Sequence, residues 1–234
     1  MPSLALINGE DGREISFRPE RLFLAGYTGR DRDHVLRHIE ELAAEGIPAP
    51  ERVPDVYPGV ADKVQVGGQL PAGNGWSSGE VEYVLLVTAH GTLVGVGSDH
   101  TDRELERASV VASKQAFPKI IGQRVWPLDS LVSQWHDCTL RSWVTIAGER
   151  RLYQNGSLGS LIAPQDLPGL ISASDCRAGT VIFSGTVPAT MPAPKTGLVR
   201  FEGEIVRADG TPLLSCSYVY EAAPATFRAE GGLE

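Results

Sequence analysis

Two glutamates stand two residues apart at the head of an apolar segment, Ser78-Gly79-Glu80-Val81-Glu82-Tyr83-Val84-Leu85-Leu86. In a strand, alternate residues share a face and lie about 6.6 to 6.8 Å apart, so Glu80 and Glu82 point the same way. Two carboxylates confined together repel, and one is driven toward its neutral form unless a cation sits between them. A hard divalent cation is the natural partner, because Mg²⁺ and Mn²⁺ prefer carboxylate oxygen. The competing reading is an exposed polar strand face, although Val84 and Leu86 continue that same face as apolar surface.

Three further groups could carry chemistry. In Gly97-Ser98-Asp99-His100-Thr101-Asp102-Arg103-Glu104, acids crowd what reads as a helix start, where capping and dipole complementarity would explain them. Capping does not account for His100 and Arg103 as well. Lys114 could hold a substrate carboxylate or enolate oxygen as a point charge, or simply complement a helix C-terminus. His38 and Glu41 stand three apart on a predicted helix and share a face. An imidazole with an adjacent carboxylate suits a general base that activates water, and a solvated helix face is the alternative. Cys138, Cys176 and Cys216 lack metal-ligand spacing or a local His, and read as packing residues. No Gly-rich phosphate loop, GxSxG elbow or HExxH helix is present.

The elements that must position these groups are mostly strands. Leu4–Ile7 and Glu14–Phe17 flank a Gly-containing turn, and Leu22–Ala25 is a short apolar strand. Asp31–Glu45 is a predicted helix, with Val35, Leu36, Ile39, Leu42 and Ala43 at helical spacing and Gly46 and Pro48 ending it. The stretch 47–75 is loop-like, with at most one strand near Lys63–Val66. Glu80–Val87 and Thr92–Gly97 form a hairpin at Ala89-His90-Gly91. A second helix is predicted over Thr101–Ser113, with Thr101 and Glu104 as a capping box and Lys114 just beyond it. Further hairpins are Leu140–Ala147 with Arg150–Gln154, and Leu198–Arg207 with Pro212–Tyr220. Thr180–Ser184 is another strand. The pattern predicts an α+β, mainly β protein built on a β-sandwich or rolled sheet. Residues 1–75 read as an N-terminal appendage with a lid-like loop, 76–230 as the β-rich catalytic unit, and 231–234 as a tail.

The chain has 234 residues, 21 Lys and Arg against 29 Asp and Glu, and a formal charge of −8. With basic residues scattered, nothing favours a nucleic-acid or anionic-membrane partner. No apolar run approaches the roughly 18 residues of a membrane span. The expected location is the cytoplasm, consistent with three unpatterned cysteines.

Taken together, these segments resemble the fumarylacetoacetate hydrolase superfamily, in its DUF2848-type branch. The branch-level stretches are Ala25-Gly26-Tyr27-Thr28-Gly29-Arg30-Asp31, His38-Ile39-Glu40-Glu41-Leu42, Ser98–Glu106, Ser113-Lys114-Gln115 and Leu140-Arg141-Ser142-Trp143. The superfamily's Glu-x-Glu matches Glu80 and Glu82. Its Asp-x-Ser-x-Arg-Asp segment is similar to Asp99–Glu104, and its Lys-(Ser/Asn)-Phe-Asp segment to Lys114–Phe117. Its Gly-Asp-x-Ile-x-Thr-Gly-Thr-Pro strand resembles Gly179–Pro188, and its lid His-x-x-Glu resembles His38 and Glu41. The departures are short spacings from Glu82 to Asp99 and from Asp99 to Lys114, Gly26-Tyr27 in place of Asn-Tyr, and Phe117-Pro118 in place of Phe-Asp.

The resemblance implies a mixed β-sandwich roll, a homodimer, and a Mg²⁺- or Mn²⁺-dependent enzyme that hydrolyses a C–C bond of a small oxo-acid of the acylpyruvate type. It implies Glu80, Glu82 and Asp99 as metal ligands, Lys114 beside the enolate, and His38 oriented by Glu41 as the base. Arg103, His100, Gln154 and Thr186 are implied as contacts to the substrate or to the groups that hold it, and Arg30 or Arg141 as the receiver of a distal carboxylate. Decarboxylation, tautomerisation and hydration on the same metal site are alternatives. A non-catalytic small-acid-binding protein is another.

Overall fold

The computed structural model describes residues 3–44, 46–73 and 76–222, so the expected tail at 231–234 lies outside the described residues. The strands, in chain order, are β1 (Leu4–Asn8), β2 (Glu14–Phe17), β3 (Arg21–Gly26), β4 (Asp55–Pro58), β5 (Val64–Val66) and β6 (Ser77–Ser78). They continue as β7 (Val81–Thr88), β8 (Gly91–Ser98), β9 (Thr101–Asp102), β10 (Lys119–Ile121) and β11 (Arg124–Pro127). The last five are β12 (Thr139–Ile146), β13 (Glu149–Ser157), β14 (Thr180–Phe183), β15 (Gly197–Val206) and β16 (Pro212–Ala222). Two α-helices, α1 (Arg32–Ala44) and α2 (Val110–Ala116), accompany them.

The strands form a large mixed sheet in the order β2-β1-β11-β8-β7-β14-β3-β4, with β10 and β5 branching from β8. A four-stranded antiparallel sheet, β13-β12-β15-β16, packs across it. Strands β1 to β5 belong to the same large sheet as β7, so the sheet has no break near residue 75. This is the mainly β, curled-sheet architecture expected from the strand count.

The alternation of side chains on β7 divides the interior in two. Val81, Tyr83 and Leu85 join the core between the sheets, with Leu140, Val144, Phe201 and Tyr218 from the smaller sheet. Val84 and Leu86 face the other way, with Leu22, Leu24, Val181 and Phe183. The period-two pattern thus sends Glu82 and the apolar Val84 and Leu86 to one side, as expected.

The second helix departs from expectation. Thr101 and Asp102 pair as β9 with Ser78 and Ser77 of β6. The Thr101 hydroxyl donates to the Asp99 carbonyl rather than capping a helix. The cap is Ser109, whose Oγ accepts from the Ala112 amide at 3.2 Å, so α2 starts late and Lys114 lies inside it, buried. Strand pairing of a locally helix-like segment is a tertiary override of propensity. The stretch 47–75 also contains a second strand, β4, paired antiparallel with β3.

Helix α1 begins one residue after Asp31, whose Oδ1 accepts from the His34 amide at 3.0 Å. Of its apolar stripe only Val35 is buried, and Leu36 is 50% exposed. The helix rides over a cavity instead of packing flat on the sheet.

Gly97 of β8 sits opposite Glu82. A Cβ there would meet the Ile120 carbonyl oxygen at 2.4 Å and Val84 Cγ2 at 2.9 Å. At Gly95 of the same strand the nearest atoms would be at 3.6 Å, ordinary contact. Gly97→Ala is expected to lower the unfolding free energy by about 1–3 kcal/mol, while Gly95→Ala stays within about 1 kcal/mol. Urea denaturation of the two variants beside the wild type checks this.

Candidate active site

The β7–β8 hairpin brings the acidic residues together. Its antiparallel register pairs Val81 with Ser98, and one step further the Asp99 amide donates to the Glu80 carbonyl at 3.0 Å. Glu80, Glu82 and Asp99 each offer a carboxylate oxygen, and these oxygens lie within 4.8 Å of one another.

Asp99 is wholly buried, at 0% exposure, and is held by two ammonium groups. Lys114 Nζ from α2 is 2.5 Å from its Oδ2, and Lys119 Nζ from β10 is 2.5 Å from its Oδ1, the latter away from hydrogen-bonding alignment. Burial pushes the Asp99 carboxyl up, but Lys114 and Lys119 outweigh it and hold the pKa at about 2. Burial also opposes the Lys114 charge, yet Asp99 and Glu80 hold its pKa above the ordinary lysine value. For Lys119 burial prevails, and its pKa is lowered despite Asp99. Lys119 also donates to the His100 carbonyl at 2.6 Å.

Glu80 accepts from Arg103 Nη2 at 2.8 Å and lies 3.7 Å from Lys114 Nζ. Arg103 continues to Glu106 at 3.0 Å and to Ser78 Oγ at 2.7 Å. Burial raises the Glu80 pKa, but Arg103 and Lys114 reverse it to a net lowering. Glu82 is the odd member. Its Oε2 accepts from the Gly185 amide at 2.8 Å, and its Oε1 is buried without a hydrogen-bond partner. Burial, then Asp99, raises its pKa well above the carboxylate range. The group holds four carboxylates, Glu80, Glu82, Asp99 and Glu106, against three cations, Arg103, Lys114 and Lys119. An orphaned hard oxygen in an acid-rich cluster fits a divalent cation.

Gly185 is glycine for two reasons: its φ is +83°, and a Cβ would meet Thr28 Oγ1 at 2.5 Å. That conformation aims its N–H at Glu82.

A cavity of about 520 Å³ lies over this cluster. Glu80, Glu82, Arg103, Glu106 and Lys114 border it, and so do His34, His38 and Leu42 of α1. His38 Nδ1 lies 3.6 Å from Glu41 Oε2, and both side chains are largely exposed, at 54% and 74%. Tyr27 also borders the cavity, in a left-handed backbone conformation of φ 58°. Its hydroxyl pKa is raised by burial and by Glu106. A non-glycine residue held at positive φ is strained, and such strain collects at functional sites.

The structure places the other predicted contact residues at different depths. His100 does not border the cavity: its ring is buried, with Nδ1 2.9 Å from Tyr218 Oη and Nε2 3.0 Å from Ser77 Oγ. Burial, then Lys119 and Arg103, lowers its pKa well below the ordinary histidine value, so it serves as a neutral brace. Gln154 and Thr186 do border the cavity, but their polar groups are engaged with the scaffold. Gln154 Oε1 accepts from the Val81 amide at 2.9 Å, and its Nε2 donates to Thr186 Oγ1 at 2.7 Å and the Val187 carbonyl at 2.8 Å. Thr186 Oγ1 donates to the Val81 carbonyl at 2.6 Å. Both fix the loop after β14 against β7. Arg103 likewise donates to Ser78, Glu80 and Glu106, one hydrogen bond from each guanidinium nitrogen. Arg141 pairs with Glu204 at 2.6 Å and lies over Trp143, and Arg30 is exposed; neither borders the cavity.

Sequence reasoning missed Lys119 and Glu106. A lone Lys ahead of Ile120-Ile121 in an apolar strand was the available signal for Lys119, because lysine is rarely buried unpaired. Nothing local distinguishes Glu106.

Residues 25–209 match the family model described as "Protein of unknown function (DUF2848)". No curated protein matches. Among solved structures, a fumarylpyruvate hydrolase from Pseudomonas aeruginosa in complex with Mn²⁺ and pyruvate is 21% identical, with a TM-score of 0.65 over 94% of this chain and 97% of that one. Yeast ynq8, a fumarylacetoacetate hydrolase family protein, is 15% identical, with a TM-score of 0.62 over 88% and 94%. A 2-keto-3-deoxyarabinonate dehydratase is 13% identical, with a TM-score of 0.62 over 90% and 85%. At these identities the likeness is one of fold. The chain thus belongs to the DUF2848 family and carries the fold of the fumarylacetoacetate hydrolase proteins.

Proposed function

We propose that the protein is a Mg²⁺- or Mn²⁺-dependent enzyme that hydrolyses a C–C bond of a small oxo-acid of the acylpyruvate type. The observation that carries this reading is the clustered trio Glu80, Glu82 and Asp99, the last two buried, with Glu82 bordering the cavity and its Oε1 unpartnered. The fold shared with a fumarylpyruvate hydrolase complexed with Mn²⁺ and pyruvate supports it.

Glu80, Glu82 and Asp99 would hold the cation. When bound, it supplies Lewis-acid polarisation of the substrate's carboxylate and neighbouring oxo oxygen. Lys114, kept protonated by Asp99 and Glu80, stands on the cavity wall where negative charge on the oxo-acid fragment can be neutralised. His38, steadied by Glu41, takes a proton from water that attacks the second carbonyl. The C–C bond then breaks, and its electron pair passes to the oxo-acid fragment, which takes up a proton at carbon. The products are a carboxylic acid and the shortened oxo-acid. Tyr27 and Glu106 border the same space and would shape the substrate's approach.

No helix among the described residues is long and apolar enough to cross a membrane. A cytoplasmic homodimer is part of the proposal. Sedimentation equilibrium at twice the chain mass would support the dimer, and a monomer would remove it.

A second reading, decarboxylation of an oxo-acid on the same cation, is favoured by the exposure of His38 and Glu41, because that reaction needs no water-activating base. His38→Ala is expected to lower acylpyruvate hydrolysis roughly 10²- to 10⁴-fold while sparing oxaloacetate decarboxylation. Equal loss of both activities, or of neither, removes the role assigned to His38.

Calorimetric titration of Mn²⁺ and Mg²⁺ into metal-stripped protein tests the floor of the site directly. The wild type is expected to bind, and Glu82→Gln to lose roughly 10- to 100-fold or more in affinity, with circular dichroism confirming that the variant folds. Absence of binding to folded wild type would sink the metal-dependent mechanism.

A further inference from the structure

Resting on the function proposed above, we infer that the substrate is a monocarboxylate whose distal end is neutral and apolar, not a second carboxylate. The inference comes from the charges that border the cavity. Among the described residues, the only Lys or Arg side chains on its wall are Arg103 and Lys114. Both are committed to the acidic floor: Arg103 to Ser78, Glu80 and Glu106, and Lys114 to Asp99 and Glu80. Away from that floor the wall is formed largely by apolar groups, including Val35, Leu42, Val110, Leu161, Val187 and Pro188. The acid on that wall is Asp31, which caps α1 through the His34 amide. His34 and His38 are the remaining basic groups on this wall. The two arginines that sequence alone offered for a distal carboxylate, Arg30 and Arg141, both lie off it.

Size points the same way. At a water-like volume of about 30 Å³ per heavy atom, a cavity of about 520 Å³ holds on the order of fifteen. A pyruvyl head occupies roughly six of these positions, which leaves room for an extended tail. A second carboxylate placed against the apolar part of this wall would lose part of its hydration with neither Lys nor Arg beside it among the described residues. An alkyl tail would gain about fourfold in affinity for each methylene taken out of water.

Calorimetric titration of oxalate, 2-oxohexanoate and 2-oxoadipate into the Mn²⁺-loaded protein tests this by binding, independently of turnover. Oxalate reports the head-group site alone. The two oxo-acids have equal chain length and differ in the distal carboxylate. Oxalate is expected to bind, and 2-oxohexanoate, titrated separately, to bind at least about tenfold more tightly than 2-oxoadipate. Equal or tighter binding of 2-oxoadipate would overturn the inference and leave the proposed function standing. Failure of oxalate to bind would overturn both. Leu42→Arg, on the exposed helix α1, places a cation on the apolar wall and is expected to raise 2-oxoadipate affinity about tenfold relative to 2-oxohexanoate. An unchanged ratio in that variant would mean that the tail does not meet this wall, and would also overturn the inference.

Discussion

The Asp99 carboxylate, clasped between Lys114 and Lys119 with no surface exposed to water, is the interaction on which the rest of the site depends. A buried charge is tolerated only when it is paired, and removing one partner of such a pair leaves a penalty of about 3–5 kcal/mol. This condition ties together the end of β8, helix α2 and strand β10. It also sets the orientation of Lys114, whose ammonium reaches Glu80, and of Glu80, which holds Arg103. Arg103 in turn fixes Glu106 and Ser78. These groups form one connected network, and Glu82 stands beside it, held by the Gly185 amide and retaining an oxygen with no partner.

The roof is built on different terms. Helix α1 contributes one buried residue, Val35, which packs close to Gly29, and carries His34 and His38 on an exposed surface. The segment leading into it is anchored by the Arg30 amide to the Ser160 carbonyl and by the Ile162 amide to the Thr28 carbonyl. Few buried apolar contacts mean a low cost of local opening. A rigid charged floor under a lightly held roof suits a site that must hold a cation firmly and still admit and release a small acid.

Much of this was legible in the sequence where the physics is local. The Glu80–Glu82 face, the β7–β8 hairpin, the hairpin of β12 and β13 and the length of α1 all follow from periodicity and turn residues within a short window. Even there the β12–β13 turn falls on Ala147-Gly148, both at positive φ, one residue before the expected Gly148-Glu149. Residues 101–113 were misread because a capping box and acidic first turn are local signals. Pairing of Thr101 and Asp102 with Ser78 and Ser77 is not.

The amino-acid sequence by itself determined which residue types could meet a hard cation, and that the fold around them would be mainly β. It did so because side-chain period and turn chemistry act over a few neighbours. Only the tertiary structure decided which of those residues face the cavity and which are spent inside. His100 is locked between Ser77 and Tyr218, Gln154 and Thr186 brace the loop after β14, and Lys119 enters the site from a strand that no local pattern connects to Asp99. The physical reason is desolvation: once the sheets close, each buried polar group must find its partner wherever the fold places one, and that choice depends on contacts far apart in the chain.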